Sequence, residues 1–186
     1  MIISARVNTR NVRPAVLSLL CLWLVGCGLA ARADRMTPGV SPAKQHPTSV
    51  SVAVNGGNKT NPLWTSEIAG DDFRTALIDS INASRLFTAV TADQPDMNLT
   101  VTLIKTIVPS SGMTMTSTVV AQWHLARVTD SAMVADEYIV TPFEAGPFDA
   151  LLAVERVRAA NEGAARANIV EGLRRLSDLT IESPRK

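Results

Sequence analysis

Asp96-Met97-Asn98-Leu99-Thr100-Val101-Thr102-Leu103-Ile104-Lys105-Thr106-Ile107-Val108 decides the fold, together with the stretch that answers it, Thr114 to Val128. Both are dense in Thr, Val and Ile, whose branched Cβ suits a pleated strand. In the first, Met97, Leu99, Val101, Leu103 and Ile107 alternate onto one face; in the second, Val119, Ala121, Trp123 and Leu125 do the same. Pro109-Ser110-Ser111-Gly112 between them is turn chemistry, so the two read as neighbouring antiparallel strands. Thr129-Asp130-Ser131 turns the chain again, and Met133 to Thr141 alternates Val134, Asp136, Tyr138 and Val140 against Met133, Ala135, Glu137 and Ile139. The result is a three-stranded meander with one apolar face that needs a cover.

The flanks supply the cover. Upstream, Val50 to Val54 is a short strand ending in the turn cluster Asn55-Gly56-Gly57-Asn58. Asp71 and Asp72 then open a helix to Ser84, with Phe73, Leu77 and Ile81 one turn apart and carboxylates where the first exposed N–H groups lie. Leu86 to Val90 is a short strand or apolar exit. Downstream, Pro142 to Pro147 reads as a loop, and Asp149 to Asp178 as a long helix. Its stripe is Val154, Val157, Ala160, Ala164, Ala165, Ile169, Leu173 and Leu176, with Glu162 and Arg166 paired on the outer face. The fold class expected is α/β (α+β): a single two-layer domain over 50–180, a mostly antiparallel sheet of four to five strands covered by two helices. Residues 27–49, with Pro38, Pro42 and Pro47, read as a flexible tether that leaves His46 solvated, and 181–186 as a disordered tail.

The start of the chain has a different character. Arg6, Arg10 and Arg13 precede the apolar run Ala15 to Val25, and no acid occurs before Asp34. That is the layout of a secretory signal, and the run is too short to span a bilayer, which takes roughly 20 residues. It closes on Leu24-Val25-Gly26-Cys27, which resembles the lipobox of bacterial lipoproteins. The resemblance implies that residues 1–26 are a signal peptide. It further implies that Cys27 becomes the acylated first residue of the mature chain, and that the membrane is a partner through this anchor. Gly28 in place of Asp implies the periplasmic face of the outer membrane rather than the inner membrane.

Removing residues 1–26 from the 186 leaves 160, with 15 basic and 17 acidic residues. No Lys/Arg stripe suggests nucleic acid. Cys21 falls in the signal and Cys27 is used by lipid, so neither a disulfide nor a Cys-based metal site is expected within one mature chain. There is no HExxH, no Cys/His cluster and no Gly-x-Ser-x-Gly. Asn55 to Thr60 lacks the spacing of a phosphate loop, and the glycosylation sequons are chance matches in such a protein. No catalytic, cofactor-binding or metal residue is assigned. An enzyme acting on the envelope would need Asp71, Asp72, His124, Glu137 or Glu144 to converge. Aromatics are scarce, which makes Trp64, Trp123 and Tyr138 candidate partner-interface residues, since Trp and Tyr are enriched at such anchors.

The segments Asp72-Phe73-Arg74-Thr75-Ala76-Leu77 and Ser84-Arg85-Leu86-Phe87, the meander and the final helix resemble envelope lipoproteins whose domain is similar to the TolB amino-terminal domain. The curli secretion lipoprotein, PelC and lipoprotein activators of peptidoglycan synthases belong to this group. The resemblance implies a non-enzymatic adapter or accessory subunit of an envelope assembly or transport machine, with a protein partner. A ring-forming export component, hence a homo-oligomer, and a cell-envelope enzyme are the alternatives.

Overall fold

A computed structural model describes residues 28–39, 44–61, 65–108 and 112–181. Its elements are α1 (Ala33–Met36), β1 (Ser49–Gly56), α2 (Gly70–Ser84), β2 (Ala89–Val90), β3 (Met97–Ile107), β4 (Met115–Arg127), β5 (Met133–Ala145) and α3 (Ala153–Asp178). The five strands form one sheet in the order β2-β1-β3-β4-β5. β3, β4 and β5 are the expected antiparallel meander, and β1 adds to β3 in parallel, as does β2 to β1. The parallel edge follows from α2, which carries the chain across between β1 and β2. The sheet is therefore mixed, antiparallel along most of its length.

Alternation fixes which face is covered. Met97, Leu99, Val101, Val119, Ala121, Trp123, Leu125 and Ile139 are buried and share one core with Phe73, Leu77 and Ile81 of α2 and Ile169, Leu173 and Leu176 of α3. The alternate residues, among them Thr100, Gln122, Asp136 and Tyr138, lie on the other face. The regular two-residue pattern fails once. Leu103 pairs with Ala121 but Lys105 pairs with Val120, so Ile104 is the extra residue of a β-bulge. The bulge reverses the parity that follows it. Ile107, expected on the core face, is instead 47% exposed.

β5 runs four residues further than Thr141, through Pro142 to Ala145, where a loop was expected. β5 is the sheet edge, and there a proline's missing N–H removes no ladder bond. Ala145 and Met115 then enter a second small core with Val157 and Ala160. The long helix begins correspondingly later, at Ala153 rather than Asp149. At the turn after β1, Gly56 and Gly57 both have φ of +75°, and a Cβ on Gly56 would lie 2.4 Å from the Leu103 carbonyl oxygen. The backbone approach there excludes any side chain.

The largest departure concerns the stretch expected to be a tether. Ala31, Met36, His46 and Thr48 are buried, and α1 packs against α2 and α3. His46 Nε2 lies 2.8 Å from the Leu176 carbonyl oxygen, and its ring packs at 5.5 Å on Phe87. Residues 28–39 and 44–49 thus belong to the domain in their described parts. Their proline-rich, low-hydropathy composition hid this, because two anchors, Met36 and His46, suffice to seat a segment on a core built by others. At the other end Ile181 packs against the core, so the described chain stays ordered to that residue. Residues 182–186 lie outside the described residues.

Candidate functional site

Of the four residues singled out from the sequence, Cys27 and Trp64 lie outside the described residues. Trp123 is not an interface residue: it is 2% exposed, in the middle of β4 under α3. Its indole Nε1–H donates to Asn168 Oδ1 at 2.9 Å. Asn168 in turn donates through Nδ2 to the Ile139 carbonyl and to Thr141 Oγ1, both at 3.1 Å. One amide thereby satisfies the buried indole and ties α3 to β5. One turn pair earlier Asn161 does similar work, donating to the Ser66 carbonyl at 2.7 Å and accepting from Ser117 Oγ at 2.6 Å. Neither asparagine belongs to a recognisable motif. The available signal was their seven-residue spacing on the apolar stripe of the final helix. Tyr138 is 61% exposed on the uncovered sheet face, which also carries the exposed Val140 and Ile107.

The five polar residues that an enzyme would need do not converge. Asp71 and Asp72 occupy the first turn of α2. Glu137 points to the helix side and binds Arg175. His124 is on the opposite face, its Nδ1 4.0 Å from Asp136 Oδ1. Glu144 is on that same face at the far end, opposite Thr116, eight positions along β4 from His124 and so roughly 27 Å away. Among the described residues no cluster of three His, Cys, Asp or Glu could hold a metal, and no helix is long and apolar enough to cross a membrane.

The most concentrated charge borders a cleft of about 370 Å³ between α1, the end of β5 and α3. Arg32 and Arg35 reach it from α1 and its preceding residue, Arg158 and Arg166 from α3, and Phe143 forms one wall. Phe143 lies there because Gly163 leaves room for it: a Cβ at Gly163 would meet the ring at 2.1 Å. Glu162 is not on an outer face paired with Arg166, as its spacing suggested. It is 7% exposed, accepts the Arg32 backbone N–H at 3.1 Å, and stands 3.8 Å from Arg158. Burial raises its pKa, against the pull of that N–H and of the neighbouring arginines. Arg166 instead donates through both Nε and Nη2 to the Arg35 carbonyl, clasping α1 to α3.

Near the other end of α3, Glu171 accepts hydrogen bonds from Arg174 at 2.8 Å and from Arg175 at 2.7 Å. Chiefly the Arg174 bond, then that of Arg175, lowers the Glu171 pKa from 4.5 to about 2. A carboxylate depressed in the folded state adds stability above its unfolded pKa and loses it as pH falls through the folded value. Glu171→Gln should therefore be less stable than the parent chain at neutral pH, and the gap should close between pH 4.5 and about 2. The effect is modest, since Arg174 is 57% exposed and water screens the pair. Urea midpoints of the two proteins measured across that range check it.

No family model matches the chain, and no curated protein matches it. Solved structures do. A Xanthomonas campestris protein of the DUF330 family has a TM-score of 0.58 at 16% identity, covering 77% of this chain and 90% of its own. A dodecameric PelC from Paraburkholderia phytofirmans has a TM-score of 0.49 at 13% identity, covering 76% and 93%. A candidate lipoprotein from Caulobacter crescentus has a TM-score of 0.40 at 14% identity, covering 67% and 87%. At these identities the likeness to the Xanthomonas protein is one of fold.

Proposed function

We propose that this chain is a lipid-anchored lipoprotein of the bacterial envelope, a non-enzymatic accessory subunit facing the periplasm from the outer membrane. The observation that carries the reading is the junction of two features. A basic, acid-free, apolar leader ends at Leu24-Val25-Gly26-Cys27, and from Ala31 the chain is already packed into a folded domain. The dispersal of Asp71, Asp72, His124, Glu137 and Glu144 supports an adapter over an enzyme. The uncovered sheet face around Tyr138, bordered by the open edge of β5, is the surface offered to a protein partner.

Cys27→Ala should move the protein from the membrane fraction to the soluble or unprocessed pool, because without acyl chains only the domain's own contacts remain. Mass spectrometry of the parent protein checks the same point, and a bare Cys27 sulfur with the leader attached defeats the reading. A second reading, self-association into a ring, draws on the same exposed Tyr138, Val140 and Ile107. The mass of the detergent-extracted protein separates the two, since a strict monomer at high concentration rules out the ring.

A further inference from the structure

We propose that the arginine cleft and the loop beside it form a face that lies directly on an anionic phospholipid surface, with guanidinium groups at the phosphates and Phe148, Leu151 and Leu152 among the acyl chains. This rests on the anchoring at Cys27 proposed above and adds to it a fixed orientation of the domain.

The loop between β5 and α3 is the first observation. Phe148 is fully exposed, Leu151 is 89% exposed and Leu152 60%. Three large apolar side chains within five residues are unusual on a surface that meets only water. The loop is held in that shape. Asp149 Oδ2 accepts the Gly146 N–H at 2.7 Å, and Arg156 Nη1 donates to the carbonyls of Ala150 and Leu151 at 3.2 and 2.9 Å. The carbonyls are turned inward to Arg156, which leaves the apolar side chains outward.

The charge beside the loop is the second. Arg32 is paired with Asp34 at 2.9 Å, and Arg158 with Glu162 at 3.8 Å. Arg35 and Arg166 form no ion pair among the described residues. Of the acids lining the cleft, Asp149 accepts the Gly146 N–H and Glu162 the Arg32 N–H, and Glu155 is the third. Four arginines against three acids line the cleft, and the guanidinium fork suits phosphate oxygens.

The direction of the chain is the third, and it selects the occupant. Cys27 precedes Arg32 by five residues, which span about 18 Å at full extension. Arg32 is fixed at the cleft by its N–H to Glu162. An acyl group on Cys27 therefore holds the bilayer within that distance of Arg32, which lines the same cleft as Asp149 and Ala150 of the apolar loop. Had residues 27–49 been a free tether, no such constraint would exist. Arginines and apolar side chains side by side match the interface between headgroups and acyl chains.

The test uses the acylated mature protein. Its Cys27 sulfur is occupied, so Leu151→Cys provides a unique thiol for a polarity-sensitive dye, and Tyr138→Cys provides a control on the uncovered sheet face. Both positions are exposed, so neither change disturbs packing. The labelled proteins are reconstituted in vesicles of phosphatidylglycerol and phosphatidylcholine bearing nitroxide-labelled acyl chains. The Leu151 dye should be quenched and shifted to the blue, more so with phosphatidylglycerol, and the Tyr138 dye should not. Arg35→Glu should lower the ratio of quenched to unquenched Leu151 dye by about fivefold or more. Quenching at Leu151 no greater than at Tyr138, in protein whose mass shows acylated Cys27, overturns the proposal and leaves the loop to a protein partner. A bare Cys27 instead removes the anchoring reading alone. In that case the Leu151 dye, on a chain that also carries Cys21→Ser and Cys27→Ser, is mixed with preformed vesicles: quenching keeps the lipid-facing surface, and its absence overturns it.

Discussion

Trp123→Ala should lower the stability of the domain by about 3–5 kcal/mol, the range for emptying a buried aromatic site. Trp123 lies at 2% exposure between the sheet and α3, where Gly172 and Leu176 lie against it. The loss has two parts. The indole's apolar surface disappears from the core, and α3 cannot close the gap without leaving the sheet. Asn168 Oδ1 also loses the donor it has at 2.9 Å, in a place shielded from water. Trp123→Phe isolates the second part: most of the ring remains, the N–H goes, and the cost should fall to about 1–3 kcal/mol. Urea unfolding followed by circular dichroism reads both values. An unchanged slope would assign the shift to the native state. A Trp123→Ala midpoint close to the parent's would show that the residue is not the centre of the core.

The second large effect is at Gly172. A Cβ there would lie 2.4 Å from Trp123 Cη2 and Cζ2 and 2.6 Å from Cε2. The indole is pinned through its N–H to Asn168 and cannot slide away. Gly172→Val should therefore cost about 3 kcal/mol, the upper part of the range for overpacking. Gly172→Ala sharpens the test because helix propensity alone favours alanine over glycine by about 1 kcal/mol. In the parent chain the clash should outweigh that gain, and Gly172→Ala should destabilise. In a Trp123→Leu background the clash is gone and the same change should stabilise. A reversal of sign in this double-mutant cycle identifies the glycine as space for the indole. Equal effects in both backgrounds would refute it.

The contact between Trp123 and Gly172 also shows where reading the chain in one dimension stops. Thr/Val-rich alternation makes the meander legible, and it puts Trp123 on the same face as Val119, Ala121 and Leu125. That face is the covered one, so the pattern itself argued for burial. The scarcity of aromatics pointed instead to an interface, and the position of α3 over β4 decides between them. The asparagines are similar. Asn161 and Asn168 interrupt an alanine-rich stripe and look like polar noise, until their partners Ser66, Ser117, Trp123, Ile139 and Thr141 arrive from three other segments.

The meander, the two long helices and the apolar faces they share are legible along the chain alone, because strand and helix periods are local and each face is set by neighbours a few residues apart. It also carries Leu24-Val25-Gly26-Cys27, the pattern that motivates the proposed anchor. Tertiary structure alone decided that residues 28–39 are packed, that Ile104 bulges and sends Ile107 outward, and that Arg32 and Arg35 meet Arg158 and Arg166 across more than a hundred residues. The physical reason is common to all three. A segment with one or two anchors, a single extra strand residue or a lone arginine has no period to announce it. Its place is set by the cavities, register and charges that distant parts of the chain bring to it.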